Sequence, residues 1–462
     1  MRMKFNKSSQ LLLVSVASLL VAGLVTACGT LTVDFVFVAS SQAAGPNNYG
    51  QINVFEINRE SGFMRQIPTS PFPSGGRNPV AEAISTDNSN LYVVNEDDNT
   101  IVQFVIGNDG KVYPQNTTNT PGIYPKAVAV NGTNLFVVDT YQPLPICSNA
   151  DPCSGSVAVF PITVGTGSNP SDALGSPVAN GSLNYWPLCQ YGYISATDFT
   201  QCAVGATKDV ITPTAVNVLK SGDFVFVTAY DSTATLNVGY IFSFWVIPAN
   251  STSVPSNVTC PLNGAQTAPT TVPTAADPEG TLCPVNGGVP HDMGVGGSGL
   301  GIHPTAIASD PTSTYVYVTD STNNIVANYS VASGILTRIS DTPTGNQPSA
   351  VVVDPQYPFA YVANSEDGTV QAYSMNNGVL TSIGTYSAGT QPVAMGIDPS
   401  TNHFLYTVNY LGNGVSGTVS GFELSPTAGT LVNSQNSPYI SNALPTAVVA
   451  IPHGGAKSGS SK

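Results

Sequence analysis

The chain has 462 residues and is acidic but sparsely charged, with 27 Asp and Glu residues against 13 Lys and Arg, a net charge of −14 and only 9% charged residues. Nucleic acids and anionic membrane surfaces require a basic patch, so this balance disfavours both as partners. The surface of a chain with this composition must depend on Ser, Thr, Asn, Gln and Gly for its polarity.

Residues 1–28 have the organisation of an export signal, with a basic start and an apolar core between Leu11 and Leu24. The segment that ends in Cys28 resembles a bacterial lipobox, in which small residues precede the acylated cysteine. An ordinary signal with a chance cysteine is the alternative. Because Gly29 is not the Asp that favours inner-membrane retention, we expect an outer-membrane lipoprotein of the cell envelope, facing either the periplasm or the outside.

From residue 34 onward, one phrase recurs seven times: a run of β-branched and aromatic residues, a polar turn and a second such run. Leu91–Asn95 followed by Thr100–Phe104 is one copy. The other copies begin at Asp34, Leu135, Asp223, Tyr315, Phe359 and Phe404. Prolines mark the units, and Pro304, Pro348 and Pro392 are spaced by 44 residues. A period in the mid-forties with four short strands is typical of a β-propeller blade.

The two ends of the repeat predict how the ring closes. The first copy, Asp34 to Val38, has no inner strand before it, and the last segment, Pro445 to Ile451, is a lone inner strand. We therefore predict an all-β, seven-bladed propeller over residues 29–453, with four antiparallel strands per blade and the C-terminal strand completing the first blade. The Gly/Ser-rich tail, 454–462, is expected to be disordered.

The phrases Tyr317-Val318-Thr319-Asp320 and Tyr361-Val362-Ala363-Asn364 resemble the YVTN-type propeller repeat. The whole mature chain is similar to the seven-bladed lactonase-like family, which includes the bacterial 6-phosphogluconolactonases. The resemblance implies hydrolysis of anionic sugar lactones with basic residues near the central channel. Arg77, Lys126 and Lys208 lie close enough to inner-strand starts for this role, but no His-Arg-Glu set falls on matching positions. A fold of this kind hosts many functions.

Six cysteines follow Cys28, an even number that suits an exported protein and allows 15 connectivities. Proximity favours the pairs Cys147–Cys153, Cys189–Cys202 and Cys260–Cys283. Zinc binding is the competing reading, but the spacings do not match paired Cys-x-x-Cys ligands. We expect no metal and no cofactor; the acidic turns 95–99 and 364–368 are interpreted as hydrated β-turns rather than calcium loops.

Two of the intervals between successive repeat prolines are much longer than the period of one blade. These two blades therefore carry insertions, at about 142–155, 180–212 and 260–303. If the outer strands preceding the last two insertions lie at Ala173–Ala179 and Val254–Val258, all three insertions fall on one face. We letter the four strands of each blade a to d from the propeller axis outward. The predicted face then carries the b–c and d–a loops of every blade. Loops on one rim of a rigid scaffold commonly carry binding sites.

The insertions contain the candidate ligand-binding residues Tyr185, Trp186, Tyr191, Tyr193, His291 and Asp292. Clustered aromatic rings beside amides suit sugar rings or peptides. A small core beneath the loop is the alternative for the aromatic residues. Adjacent His and Asp point in different directions in an extended chain, which disfavours a catalytic dyad.

Three functions remain open at this point. The first is a non-catalytic scaffold that binds a glycan or protein partner through the inserted face, and this is the reading that we favour. The second is a lactonase, which depends on the family resemblance. The third is a structural envelope protein without a defined ligand. We expect a monomer whose only membrane contact is the N-terminal lipid.

Overall fold

A computed structural model describes most of the chain from Val33 to Pro452. The described residues are 33–58, 60–148, 150–163, 173–195, 198–203, 209–234, 237–248, 254–260, 279–294, 301–399, 404–411, 416–441 and 444–452. The expected export signal with Cys28, the expected tail 454–462 and Lys208 lie outside them.

The strands form seven antiparallel sheets, and one separate hairpin lies in the second insertion. Blade 1 contains β1 (Val33–Ala44), β2 (Tyr49–Asn58), β3 (Met64–Gln66) and β4 (Phe72–Pro73). Blade 2 contains β5 (Pro79–Ile84), β6 (Asn90–Asn95), β7 (Thr100–Ile106) and β8 (Val112–Asn119). Blade 3 contains β9 (Ile123–Val130), β10 (Asn134–Tyr141), β11 (Ser156–Thr163), β12 (Ala173–Leu174) and β13 (Trp186–Pro187), and the hairpin is β14 (Tyr193–Ser195) with β15 (Asp198–Cys202).

Blade 4 contains β16 (Ile211–Val218), β17 (Phe224–Asp231), β18 (Gly239–Val246), β19 (Leu282–Pro284), a 3-10 turn (Asn286–Gly288) and β20 (His291–Gly294). Blade 5 contains β21 (Pro304–Ser309), β22 (Tyr315–Asp320), β23 (Ile325–Ala332) and β24 (Ile335–Pro343). Blade 6 contains β25 (Pro348–Val353), β26 (Phe359–Asn364), β27 (Thr369–Asn376) and β28 (Val379–Ser387). Blade 7 contains β29 (Pro392–Ile397), β30 (Phe404–Asn409), β31 (Thr418–Leu424), β32 (Leu431–Asn433) and β33 (Tyr439–Ile440), and the final strand is β34 (Pro445–Ile451).

Strand b of each blade is buried on both faces, which explains its continuous rather than alternating apolar pattern. In β26, for example, every residue from Phe359 to Asn364 is buried. The core therefore lies between blades: Phe37 of blade 1 and Leu91 of blade 2 belong to one apolar cluster. The predicted all-β, seven-bladed propeller is confirmed.

The predicted closure is also confirmed. β34 pairs antiparallel with β1, with Phe37 opposite Val449, so the last strand supplies the inner strand of blade 1. Hydrogen bonds between neighbouring inner strands reinforce the ring: Thr446 Oγ1 donates to the carbonyl oxygen of Pro79 at 2.7 Å. Ser349 makes the same bond to Pro392 at 2.6 Å. The last strand thus covers the edge of β1, which would otherwise be unpaired.

The prediction for the outer strand of blade 4 is wrong. Strand d is formed by β19 and β20, which pair with the two ends of β18, while Val258 makes only an isolated bridge to Val285. Leu282 and Cys283 are completely buried, so their packing against β18 outcompetes the segment around Val254. The connection between strands c and d of blade 4 therefore leaves at Val246 and returns at Leu282, at the end of β18 that lies away from the b–c loops.

The outer strand of blade 3 is divided. β12 pairs with the end of β11, and β13 pairs with its beginning, so Trp186 lies opposite Val157. The expected strand at Ala173–Ala179 accounts for the first part only. Trp186 belongs to the blade itself rather than to an insertion.

Candidate binding face

The face that carries the b–c and d–a loops, here called the upper face, is organised by a clamp at the end of strand b. In blade 3, the carboxylate of Asp139 accepts a hydrogen bond from the backbone N–H of Gly122 at 3.1 Å. A Cβ at Gly122 would lie 2.3 Å from the Cβ of Asp139, so only glycine fits there. Equivalent contacts join Gly76 to Asn95, Gly345 to Asn364 and Gly389 to Asn409. In these four blades the clamp fixes the chain just before the inner-strand proline, at the upper end of the ring.

Four aromatic side chains near this end of the ring form what we call the aromatic row: Tyr124, Tyr141, Tyr230 and His303. Tyr124 and His303 immediately precede the inner-strand prolines of blades 3 and 5. Tyr141 and Tyr230 end strand b in blades 3 and 4, where they lie opposite the start of the inner strand. Side chains from three consecutive blades therefore lie near the starts of the inner strands, with Tyr141 close enough to Tyr230 to influence its pKa.

The rings of the row are in contact in pairs. The Tyr230 and His303 ring centroids are 4.3 Å apart with an interplanar angle of 31°, and Tyr124 meets Tyr141 edge-on at 6.1 Å. Tyr124 has a φ of +57°, which is uncommon for a bulky residue. Its N–H donates to Asn99 Oδ1 at 2.7 Å, and its carbonyl accepts from Thr140 Oγ1 at 2.8 Å, which holds this backbone in place.

Burial sets the protonation of the pair at the centre of the row. It raises the pKa of the Tyr230 phenol, against the opposing effect of a hydrogen bond with the Thr212 side chain. It lowers the pKa of His303, which the nearby charge of Asp320 only partly offsets. His303 is therefore a neutral imidazole at neutral pH, with one nitrogen able to donate and the other able to accept a hydrogen bond.

The loop closed by the Cys189–Cys202 disulfide, which contains the β14–β15 hairpin, adds polar groups to the upper face. Gln190 Nε2 donates to Tyr240 Oη at 2.6 Å. The charge of Asp209, which also hydrogen-bonds the Tyr191 phenol, raises the pKa of Tyr191. Tyr191 is 48% exposed, so it is the candidate aromatic of this insertion that is most open to a ligand.

The other candidate aromatics of the second insertion are packed inside. Tyr185 is 3% exposed, and Trp186 is fully buried between blades 3 and 4. The Tyr193 hydroxyl donates to the Pro187 carbonyl at 2.9 Å, and its ring lies 5.0 Å from that of Phe199. Tyr185 thus packs in the apolar cluster between blades 2 and 3 and Trp186 in the cluster between blades 3 and 4, while Tyr193 packs on Phe199 beneath the loop.

His291 and Asp292 both lie on β20 but have different surroundings. His291 meets the Tyr329 ring edge-on at 5.1 Å, and burial lowers its pKa. Asp292 is exposed, and its Oδ1 accepts a hydrogen bond from the Gly294 N–H at 2.6 Å. Neither residue is in the aromatic row.

The basic residues near the inner-strand starts are paired with carboxylates. Arg77 Nη2 lies 2.6 Å from Asp98 Oδ1, and Lys126 Nζ lies 3.8 Å from Glu96 Oε1. Both pairs are partly exposed, so each contributes little to stability. The effect of these ion pairs is electrostatic, because they neutralise two of the three cations that the lactonase hypothesis would use; the third, Lys208, lies outside the described residues.

Sequence reasoning missed the aromatic row and one buried acid. Glu82, on inner strand β5, is 8% exposed, and burial raises its pKa well above the ordinary range despite the backbone N–H groups of Ala39 and Val449. Its carboxyl therefore lies at the seam between blades 1 and 2. The position before each repeat proline could have revealed the row, since Tyr124 and His303 share it.

The structure contains the three disulfides expected from proximity, with Cα–Cα distances of 5.2, 5.2 and 4.5 Å. Disulfides persist in oxidising compartments, which indicates an extracytoplasmic protein. Within the described ranges, no cluster of three or more His, Cys, Asp or Glu side chains could hold a metal ion. No helix in the same ranges is long and apolar enough to cross a membrane.

The fold and its repeat define a seven-bladed β-propeller. The family model of the lactonase seven-bladed β-propellers matches residues 262–397, so the resemblance to this family is confirmed. Comparison of the whole sequence with curated proteins gives no significant match.

Solved structures with the same fold come from several bacteria. The periplasmic gluconolactonase of Pseudomonas aeruginosa has a TM-score of 0.60 and 16% identity, covering 91% of this chain and 99% of its own. A proposed 6-phosphogluconolactonase of Bacteroides fragilis has a TM-score of 0.59 and 18% identity with the same coverage. A protein of unknown function from Desulfotomaculum acetoxidans has a TM-score of 0.55 and 11% identity, covering 91% and 99%. At these identities the likeness shows the fold alone.

Proposed function

We propose that this protein is an exported, lipid-anchored propeller that binds a neutral glycan or a peptide through its upper face. The observation that carries the proposal is the aromatic row, which brings Tyr124, Tyr141, Tyr230 and His303 together from three blades. Aromatic rings provide stacking surfaces, and the neutral imidazole provides a hydrogen bond. Tyr191 and the amide of Gln190 extend the same surface.

The charges near the row favour a ligand without negative charge. Arg77 and Lys126 are paired with carboxylates, and Asp209 lies next to Tyr191. An anionic ligand would have to displace these carboxylates or remain beside them, at an electrostatic cost. Neutral sugars and peptides avoid this cost.

Binding is tested by titrating the purified protein, from residue 29 onward, with panels of neutral oligosaccharides and of peptides. Saturable binding that weakens in Tyr230→Ala and His303→Ala supports the proposal. Tyr113→Ala is the matched control, because Tyr113 is an exposed tyrosine of comparable size on the outer strand β8. Binding that all variants retain equally would place the ligand elsewhere.

A lactonase is the second candidate, and Glu82 is the observation that favours it. A carboxyl with a raised pKa, held on an inner strand, can donate a proton to a leaving alkoxide. The structural likeness to the Pseudomonas aeruginosa periplasmic gluconolactonase points in the same direction. Hydrolysis of a gluconolactone panel, lost in Glu82→Gln, Arg77→Ala or Lys126→Ala, would establish this activity instead.

The lipid anchor and a purely structural role are tested separately. A Cys28→Ser variant expressed with its export signal should move from the membrane fraction to the soluble envelope fraction if Cys28 is acylated. Failure of every glycan, peptide and lactone to interact would leave the structural envelope role as the remaining hypothesis.

A further inference from the structure

A cavity with a volume of about 310 Å³ lies between blades 5 and 6 on the lower face, the face that carries the a–b and c–d turns. Its walls come from the a–b turns after β21 and β25 and from the c–d turn at Asn377 and Gly378. Three tyrosines line it: Tyr315, Tyr317 and Tyr357. Ligand pockets of this volume, with aromatic walls and few polar groups, accommodate small ring-shaped molecules.

One polar group in the wall of this cavity, the Tyr317 hydroxyl, has no hydrogen-bond partner among the described residues; the same repeat residue is paired in blade 6 and unpaired, as Tyr406, in blade 7. In blade 6, the Tyr361 hydroxyl donates to the carbonyl of Gly429, in the c–d turn of blade 7, at 3.3 Å. Tyr317 is the same repeat residue in blade 5. Its side chain is fully buried, and its hydroxyl has no hydrogen-bond partner among the described residues.

The turn above Tyr317 is built like the turn above Tyr361, so a missing turn does not explain the unpaired hydroxyl. A Cβ at Gly378 would lie 2.5 Å from the Tyr315 ring, and a Cβ at Gly429 would lie 2.4 Å from the Phe359 ring. Both turns therefore pack on the aromatic residue that starts the preceding strand b. A buried hydroxyl without a partner is costly, and such a group in a native structure calls for an explanation.

The cavity presents no free charge. Asp310 is the charged residue of its wall, and its Oδ1 already accepts the N–H groups of Thr314 at 2.8 Å and Tyr315 at 2.6 Å. Gln356 Nε2 donates to the Pro399 carbonyl at 3.0 Å, and the Thr312 hydroxyl donates to Asp310 Oδ2. Gln356 Oε1 and the Asn377 amide are the polar groups of the wall that remain for a ligand. A charged ligand would find no counter-ion here, so the chemistry favours a neutral one.

We propose that this cavity, the lower pocket, binds a neutral pyranose ring, with the Tyr317 hydroxyl as a hydrogen-bond partner for a sugar oxygen. The aromatic rings offer stacking surfaces for the C–H face of the sugar, and the amides offer further hydrogen bonds. The lower pocket lies on the face opposite to the aromatic row. This proposal is therefore independent of what the upper face binds.

The test is a titration of the purified mature protein, monitored by calorimetry or NMR. The ligands are D-glucose, D-galactose, D-mannose and N-acetyl-D-glucosamine. At least one sugar should bind saturably, and Tyr317→Phe should weaken that binding about 5- to 10-fold, the effect of losing one hydrogen bond. Tyr361→Phe is the matched control, since it removes a paired hydroxyl at the same repeat position; its affinity for the sugar should be unchanged.

Thermal unfolding provides a second readout. Without sugar, Tyr317→Phe should leave the melting temperature unchanged or raise it, whereas Tyr361→Phe should lower it, because only Tyr361 has a partner to lose. Saturating sugar should raise the melting temperature of wild type more than that of Tyr317→Phe. Absence of binding by all four sugars, equal affinity in Tyr317→Phe, or binding of a proline-rich peptide instead would overturn the proposal.

Discussion

The imidazole of His303 packs against the phenol ring of Tyr230, with centroids 4.3 Å apart, and thereby joins the inner-strand start of blade 5 to the end of strand b in blade 4. His303 directly precedes inner strand β21, and Tyr230 lies near the end of β17. The repeat places both of these strand ends on the upper face. The pair is therefore a product of the ring, and it forms the centre of the surface that we propose as the binding site.

Removing either ring should weaken ligand binding without unfolding the propeller. We expect Tyr230→Ala and His303→Ala each to reduce affinity by roughly 5- to 30-fold, corresponding to about 1 to 2 kcal/mol for a partly exposed aromatic contact. A double-mutant cycle measured by calorimetry should show that the two losses are not additive, because the rings touch. Additive losses would mean that the rings contact the ligand independently.

Acid should destabilise the protein through its buried histidines. The folded-state pKa of His303 is lowered, so between that pKa and the ordinary value the unfolded chain binds more protons, and stability falls as the pH is lowered through this window. His291 adds to the effect in the same direction. Urea midpoints measured as a function of pH should depend less on pH in His303→Gln than in wild type, and an unchanged slope would contradict the assignment.

Asp139 should have the opposite effect on stability, which it lowers as the pH rises. Burial raises its pKa to about 7, so the folded state holds a proton that the unfolded state has released, and stability falls as the pH rises toward and through that value. Asp139→Asn places the amide found at Asn95, Asn364 and Asn409 in the same clamp. We expect the variant to be more stable than wild type at pH 8 by an amount on the order of 1–4 kcal/mol, and to lose this advantage near pH 4.

Removing the Cys189–Cys202 disulfide should weaken ligand binding at the upper face and leave the propeller folded. We expect Cys189→Ser/Cys202→Ser to loosen the disulfide-closed loop that carries Tyr191 and to lower affinity, while far-UV circular dichroism retains the strand signal. Cys147→Ser/Cys153→Ser is a control of the same chemistry in a different loop. Equal losses in the two variants would indicate a general effect of disulfide removal.

Closure by β34 should be essential for a stable monomer. Truncation after residue 443 removes β34 and exposes the edges of β1 and of the neighbouring blades, so we expect aggregation or loss of cooperative unfolding. Truncation after residue 452 keeps the strand and serves as the control. Size-exclusion chromatography and thermal unfolding distinguish the two; a monodisperse, cooperatively unfolding product from the shorter chain would contradict this role.

Much of the scaffold could be predicted from the sequence because its signals are local and repeated. The strand phrase, the prolines and the lone strand at Pro445–Ile451 each report on neighbouring residues, and seven copies reinforce one interpretation. The disulfide pairs were predictable for a related reason, since each closes a short loop. The glycines before the inner strands belong to the same repeat, and each one leaves room for the Asp or Asn side chain at the end of strand b.

The candidate site depended on contacts between residues that are distant in sequence. Trp186 looked like an exposed ligand-binding residue beside amides, but β13 pairs with β11 and places it between two blades. The outer strand of blade 4 was misplaced because packing of Leu282 and Cys283 against β18 decided it, and no local pattern reports that competition. Tyr230 and His303 meet only because the ring brings blades 4 and 5 together. Sequence alone determined the repeating, closed architecture, whereas tertiary packing decided which side chains are buried and which converge on a surface, because burial is settled between blades and not within them.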